Sequence, residues 1–165
     1  MPEKRTLQRA RRDKRQGKAP TTQAGEFIRE EMDHIREGKH GARSAKQAIA
    51  IGLSKARRAG VELPPPKKGT VPEKTRRGAA RAYARGHGAA ARRKSSAKRS
   101  RATLQALRHE GRSAASHRAL ARQAHTAARR RTKAQRSAAA RKAAATKGPA
   151  ERSAAARKAV RTRRS

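Results

Sequence analysis

The sequence predicts a mostly α, largely disordered chain: a small helical hairpin followed by a low-complexity basic tail with conditional helices. Three observations carry that prediction. The formal charge is +36 over 165 residues, from 47 Lys+Arg against 11 Asp+Glu. Aromatic residues are 1% of the chain, and much of its 33% hydrophobic content is alanine, whose methyl group adds little to a core. Helical apolar periodicity with bulky side chains is confined to residues 21–63. High charge with low hydrophobicity leaves the remainder unable to offset its conformational entropy by burial. A large enzyme core is thereby excluded, and no catalytic residue, cofactor or small-molecule substrate is expected.

Residues 1–20 form a basic N-terminal arm in which Lys4 to Gln16 can be helical but have only Leu7 as an apolar anchor, so a fraying helix is expected. In the hairpin module 21–63, Thr21 or Thr22 is positioned to cap a helix from about Gln23 to Glu37, ended by Gly38. Its stripe is Ala24, Phe27, Ile28, Met32 and Ile35. Ser44 followed by Gln47 has the form of a capping box and starts a second helix. Ala45, Ala48, Ile49, Gly52, Leu53 and Ala56 make its stripe, with Ile51 at one edge. Gly60 suits the residue after the helix end, Val61 folds back on the last turn, and Pro64 forbids continuation. The predicted core is Phe27, Ile28, Met32, Ile35, Ile49, Leu53, Val61 and Leu63. Chains of about 40 residues usually need a metal, a disulfide or a partner for stability. With no cysteine present, disulfides and thiolate metal sites are excluded. Self-association or a protein partner on the apolar stripe therefore remains open.

Residues 64–78, opened by Pro64-Pro65-Pro66 and containing Lys67, Lys68, Gly69 and Pro72, read as a stiff polar linker. Residues 1–73 hold 18 basic and 9 acidic side chains, whereas 74–165 hold 29 basic and only Glu110 and Glu151 as acids. The tail, 79–165, is rich in Ala, Arg, Lys and Ser. It carries the repeat RSAAARKAA (136–144) and RSAAARKAV (152–160), with a looser copy RSAASHRAL at 112–120. Alanine and arginine favour helix, but unpacked helices are marginal and clustered like charges repel. Helicity conditional on neutralisation is expected, with breaks at Gly86, Gly88, Gly111 and Gly148-Pro149. Ser100 to Arg131, anchored by Leu104, Leu107 and Leu120, is the best candidate for a persistent tail helix.

A charge of +36 needs a polyanion, and would match about 18 base pairs of duplex if every charge engaged. The tail candidates for phosphate contact are Arg92, Arg93, Lys94, Lys98, Arg99, Arg101, Arg129, Arg130, Arg131, Lys133, Arg136, Arg141, Lys142, Arg157 and Lys158. In the hairpin, Lys39, His40, Arg43 and Lys46 flank a helix N-terminus, where free N–H groups suit an anion. Arg57 and Arg58 add two more cations. Base stacking has little support, because Phe27 and Tyr83 are the aromatic residues and Phe27 belongs to the core. Phosphate contacts of this kind position a protein without selecting a sequence. DNA is the expected partner, and the alternative is an RNA-binding, ribosome-associated factor, since RNA is an equally suitable polyanion. The hairpin, with its acidic run from Glu26 to Glu37, offers the alternative of a protein-interaction adaptor, although those carboxylates are read as solubilising a surface helix.

Of the six histidines, His109, His117 and His125 recur every eight residues, but Glu110 is the lone carboxylate beside them, so no metal site is expected. Ser95, Ser96, Ser100, Ser137 and Ser153 lie beside basic residues, where phosphorylation would subtract positive charge. No stretch has the roughly 18 apolar residues of a membrane span. The opening MPEKRTLQRARRDKRQGKAP lacks the apolar region of a secretory signal. The expected location is cytoplasmic, at the nucleoid.

The segment GEFIREEMDHIREGKHGARSAKQAIAIGLSKARRAGVELPPP, Gly25 to Pro66, resembles a small family of basic bacterial proteins defined as a domain of unknown function. The resemblance implies a bacterial, non-secreted protein and supplies no activity or site. The tail resembles in composition the Lys/Ala-rich tails of histone-H1-like nucleoid proteins. Arginine outweighs lysine here, which favours bidentate phosphate contacts.

Overall fold

The computed structural model describes residues 2–88, 96–146 and 148–164, and the described residues are helical with connecting turns and no strands. Two compact units divide the chain, Met1–Ala121 and Arg122–Ser165. In the first are α1 (Lys4–Arg15), α2 (Pro20–Arg36), α3 (Ala45–Arg58), α4 (Glu73–Gly86), α5 (Ala97–Arg108) and a single 3-10 turn at Ser113–Ala115. Helix α6 (His117–Arg129) runs across the division, and α7 (Lys133–Thr146) and α8 (Pro149–Arg164) follow.

The arm expected to fray is instead a docked helix. Leu7 and the buried Ala10 of α1 join Ala24, Phe27, Ala56 and Val61 in one core cluster, completed by Leu53 and Leu63. Polar contacts add to this. The Glu3 N–H donates to Glu30 Oε2 at 3.0 Å, and Arg9 Nη1 lies 3.7 Å from Glu26 Oε2. Gly17, at φ +68, reverses the chain. Helix α2 then begins earlier than expected, with Pro20 rather than Thr21 or Thr22 marking its start. Proline is favoured at a first helical position, where its missing N–H has no partner to lose.

The hairpin forms as its pattern predicts. Ser44 Oγ accepts from the Gln47 N–H at 3.2 Å, Gly60 takes φ +85, and the Val61 N–H donates to the Ala56 carbonyl at 3.1 Å. The second core cluster is Met32, Ile35, Ala42 and Ala48 with Ala114 and Ala115, packed by Ile28, Ile49 and Leu120. The apolar stripe left open for a partner is thus covered from within the chain, by α1 at one end and by residues 114–120 at the other.

That return of the chain overturns the single tail helix expected over Ser100–Arg131. It is broken into α5, the 3-10 turn and α6, with Gly111 in the gap. The Gly41 N–H donates to the Leu107 carbonyl at 2.8 Å and the Ala42 N–H to the Gly111 carbonyl at 3.2 Å, so this stretch clamps the α2–α3 loop. A Cβ at Gly41 would fall on the Glu110 carbonyl. The linker is also shorter than expected. Residues from Glu73 onward are α4, whose Ala79 and Ala82 are buried, so residues 79–86 belong to the folded unit rather than to the tail. Helix α4 packs on α3.

In the second unit no described residue is buried, and Val160 is 53% exposed. The expected break at Gly148-Pro149 stands, with α8 beginning at Pro149.

Candidate nucleic-acid interface

Arg81 and Arg85 lie one turn apart on α4, with Gly78 one turn before them. With Ser54 and Arg58 of α3 and Arg99 of α5 they line a cleft of about 370 Å³ that contains no carboxylate. The missing side chain at Gly78 leaves open space there. Arg58 Nε donates to the Ser54 carbonyl at 3.1 Å, which leaves the rest of its guanidinium for a ligand. Desolvation, and then the nearby Arg85 charge, lower the Arg58 pKa. Four guanidiniums around one depression, with the repulsion unrelieved by any acid lining it, suit a phosphate-bearing ligand. Arg58 and Arg99 were expected at an interface. Arg81 and Arg85 were not, although their four-residue spacing beside a glycine is visible in the sequence.

The expected anion seat at the α3 N-terminus is not assembled. Lys39 Nζ lies 2.9 Å from Glu37 and 3.4 Å from Glu3, and hydrogen bonding to Glu37 raises its pKa. Arg43 is exposed and lies 3.4 Å from Glu110. His40 turns inward, its Nε2 3.2 Å from the buried Glu31. The N–H groups of Gly41, Ala42 and Gln47 are already committed to Leu107, Gly111 and Ser44. Lys46 is exposed on α3. Arg57 is removed from the interface altogether. Only 8% exposed, it donates from Nε to the Leu63 carbonyl at 2.9 Å and from Nη2 toward the Pro64 carbonyl at 3.5 Å.

Arg92, Arg93 and Lys94, and Ser95 among the candidate modified serines, lie outside the described residues. Lys98, Arg99 and Arg101 are exposed on α5, and Arg129 closes α6 with Arg130 and Arg131 in the following turn. Lys133, Arg136, Arg141 and Lys142 on α7, and Arg157 and Lys158 on α8, are likewise exposed. Within 122–165 the sequence contains one acid, Glu151. The cations surround α7 and α8 instead of sharing one face, because their spacings do not repeat at 3.6 residues. His109, His117 and His125 do not share a helix, since His109 ends α5 while the other two lie on α6.

The acidic run from Glu26 to Glu37 is partly interior, which corrects its reading as a solvated surface. Glu31 is 1% and Glu30 5% exposed. Lys55 of α3 reaches both, at 2.6 Å from Glu31 Oε2 and 3.2 Å from Glu30 Oε1. For Glu30, desolvation pushes the pKa up, but hydrogen bonds from Thr6, the Glu3 N–H and Lys55 outweigh it and hold the pKa below the ordinary value. Three residues apart on α2, Glu26 and Arg29 lie 3.7 Å apart and Asp33 and Arg36 3.4 Å apart.

Among the described residues no helix is long and apolar enough to cross a membrane. No curated protein and no solved structure matches the chain. Residues 17–68, which hold α2, α3 and the proline-rich turn after them, match a family of unknown function (DUF6496), in agreement with the resemblance carried by Gly25 to Pro66.

Proposed function

We propose that the protein is a non-enzymatic, sequence-tolerant DNA-binding protein of the nucleoid-associated, histone-like kind, acting by phosphate neutralisation. The observation that carries the reading is the distribution of charge: exposed cations along α5 to α8, nearly free of acids, whereas the carboxylates of the first unit are largely paired within it. Counterion release on such a surface supplies affinity without base contacts. The two aromatic residues support the same reading, since Phe27 is 1% exposed and the Tyr83 ring is already stacked on His87, which leaves little surface for base stacking. No described residue of α7 or α8 is buried, so we take their helicity to depend on phosphate neutralisation, with those segments disordered in the free protein.

The arginine cleft is the anchoring point of this reading. The double variant Arg81→Gln/Arg85→Gln should bind duplex DNA about 5- to 30-fold more weakly at moderate salt, with a shallower salt dependence by about two phosphate contacts. Its melting temperature should be unchanged. Unaltered affinity and slope would remove the cleft from the interface. Competition by structured RNA of equal charge that displaces duplex DNA at substoichiometric amounts would reassign the ligand to RNA.

A further inference from the structure

The end of α2 and the loop after it bring together three side chains that nucleic-acid binding does not use. Donor atoms of Glu31, His34 and His40 all lie within 4.8 Å of one another. The two imidazole rings meet edge to face at 6.0 Å. Glu31 is 1% exposed, and although Lys55 and His40 lie close to its carboxylate, neither oxygen has a partner in hydrogen-bonding geometry. His40 Nδ1 faces the carbonyl of Gly41 at 3.1 Å. A carbonyl only accepts, so this contact places a proton on Nδ1, and the neutral tautomer that fits it presents the Nε2 lone pair. That lone pair lies 3.2 Å from Glu31 Oε1. Such a junction is bridged by a cation, either a proton on Nε2 or a metal ion, and the second imidazole of His34 beside it supplies a further ligand that only the metal uses.

We propose that Glu31, His34 and His40 form a binding site for a divalent transition metal of the Zn²⁺ class, tying the C-terminal end of α2 to the loop that enters α3. Two imidazoles and one carboxylate are a donor set suited to Zn²⁺, leaving a fourth position for water. Bonds of about 2.0–2.1 Å place tetrahedral ligands about 3.3 Å apart, so the cluster closes by about 1.5 Å at most. His40 already has the backing such ligands need, a ring N–H held by a backbone carbonyl, and Glu3 Oε1 lies 2.8 Å from His34 Nε2. Lys55 remains on Glu31 Oε2 and leaves Oε1 to the metal. A metal here would staple a small, alanine-rich core that lacks disulfides, adding its binding free energy to folding.

Full-length protein freed of metal should take up one Zn²⁺ per chain in competition with a chromophoric chelator. In proton NMR, the ring signals of two of the six histidines, those of His34 and His40, should shift on addition. His34→Gln and His40→Gln should each weaken Zn²⁺ binding by at least about 100-fold, beyond the effect of losing a ligand's backing group. The triple variant His109→Gln/His117→Gln/His125→Gln should retain full affinity. Absence of stoichiometric uptake, shifts confined to other histidines, or loss of binding in the triple variant would overturn the proposal. Because the NMR readout uses the unaltered protein, misfolding of a variant does not shield it.

Discussion

Tyr83 is the single tyrosine of the chain, and its hydroxyl donates to Glu62 Oε2 at 2.6 Å while its ring stacks on His87 at 3.9 Å. The Glu62 hydrogen bond raises the Tyr83 pKa above 10.0, and the same bond lowers that of Glu62 below 4.5. A depressed carboxylate contributes stability that is present above its unfolded pKa and lost as pH falls through the folded value. A raised tyrosine contributes stability that is present below its unfolded pKa and lost as pH rises through the folded value. The tie between residue 62 and α4 is therefore strongest between those limits. Ultraviolet titration of the phenol, unobscured because tryptophan is absent, should give a midpoint above 10 that Glu62→Ala moves down toward the ordinary value, desolvation retaining part of the shift. Neighbouring residues can differ completely in role. Arg57 and Arg58 are alike as letters in a basic run, yet a step of about 100° around the helix buries one against Leu63 and Pro64 and exposes the other to the cleft. The acidic letters of α2 hid Glu30 and Glu31 in the same way, because their partner Lys55 is 24 or more residues distant.

Helices α2 and α3 were legible because bulky apolar side chains repeat at helical spacing and their ends carry recognisable signals: Gly38 and Gly60 at positive φ, Ser44 as cap. The docking of α1 and the 3-10 turn were not, since these segments contribute mainly Ala10, Ala114 and Ala115, residues equally common in the unburied tail. What admits such small residues to a core is close backbone approach. A Cβ at Gly52 would stand 2.8 Å from Ile28 Cα, so Gly52→Ala must push α2 and α3 apart. The expected cost is about 1–3 kcal/mol, read as a melting temperature lower by roughly 4–8 °C per kcal/mol. A variant melting like the parent would contradict the close crossing. Helices α7 and α8 stand at the other extreme, with none of their described residues buried. Circular dichroism should show helical signal rising when duplex DNA is added, and a spectrum unchanged by DNA would refute conditional folding while leaving binding intact.

For the molecule as a whole, the decisive quantity is charge rather than shape. The first unit consumes most of its carboxylates in contacts such as Lys55–Glu31 and Lys39–Glu37, whereas residues 122–165 have one acid among their cations. Composition foretold the excess, but the use of the acids inside the fold and the assembly of the arginine cleft from three helices depend on long-range packing that no local pattern encodes. The most direct test is the affinity of the full chain for a mixed-sequence DNA duplex, measured across ionic strength. Affinity should fall by at least about 10³-fold between 50 and 200 mM monovalent salt, as for six or more phosphate contacts, and change little when the duplex sequence is scrambled. Binding that is flat across that range, or absent at the low-salt end, would contradict phosphate neutralisation as the basis of function.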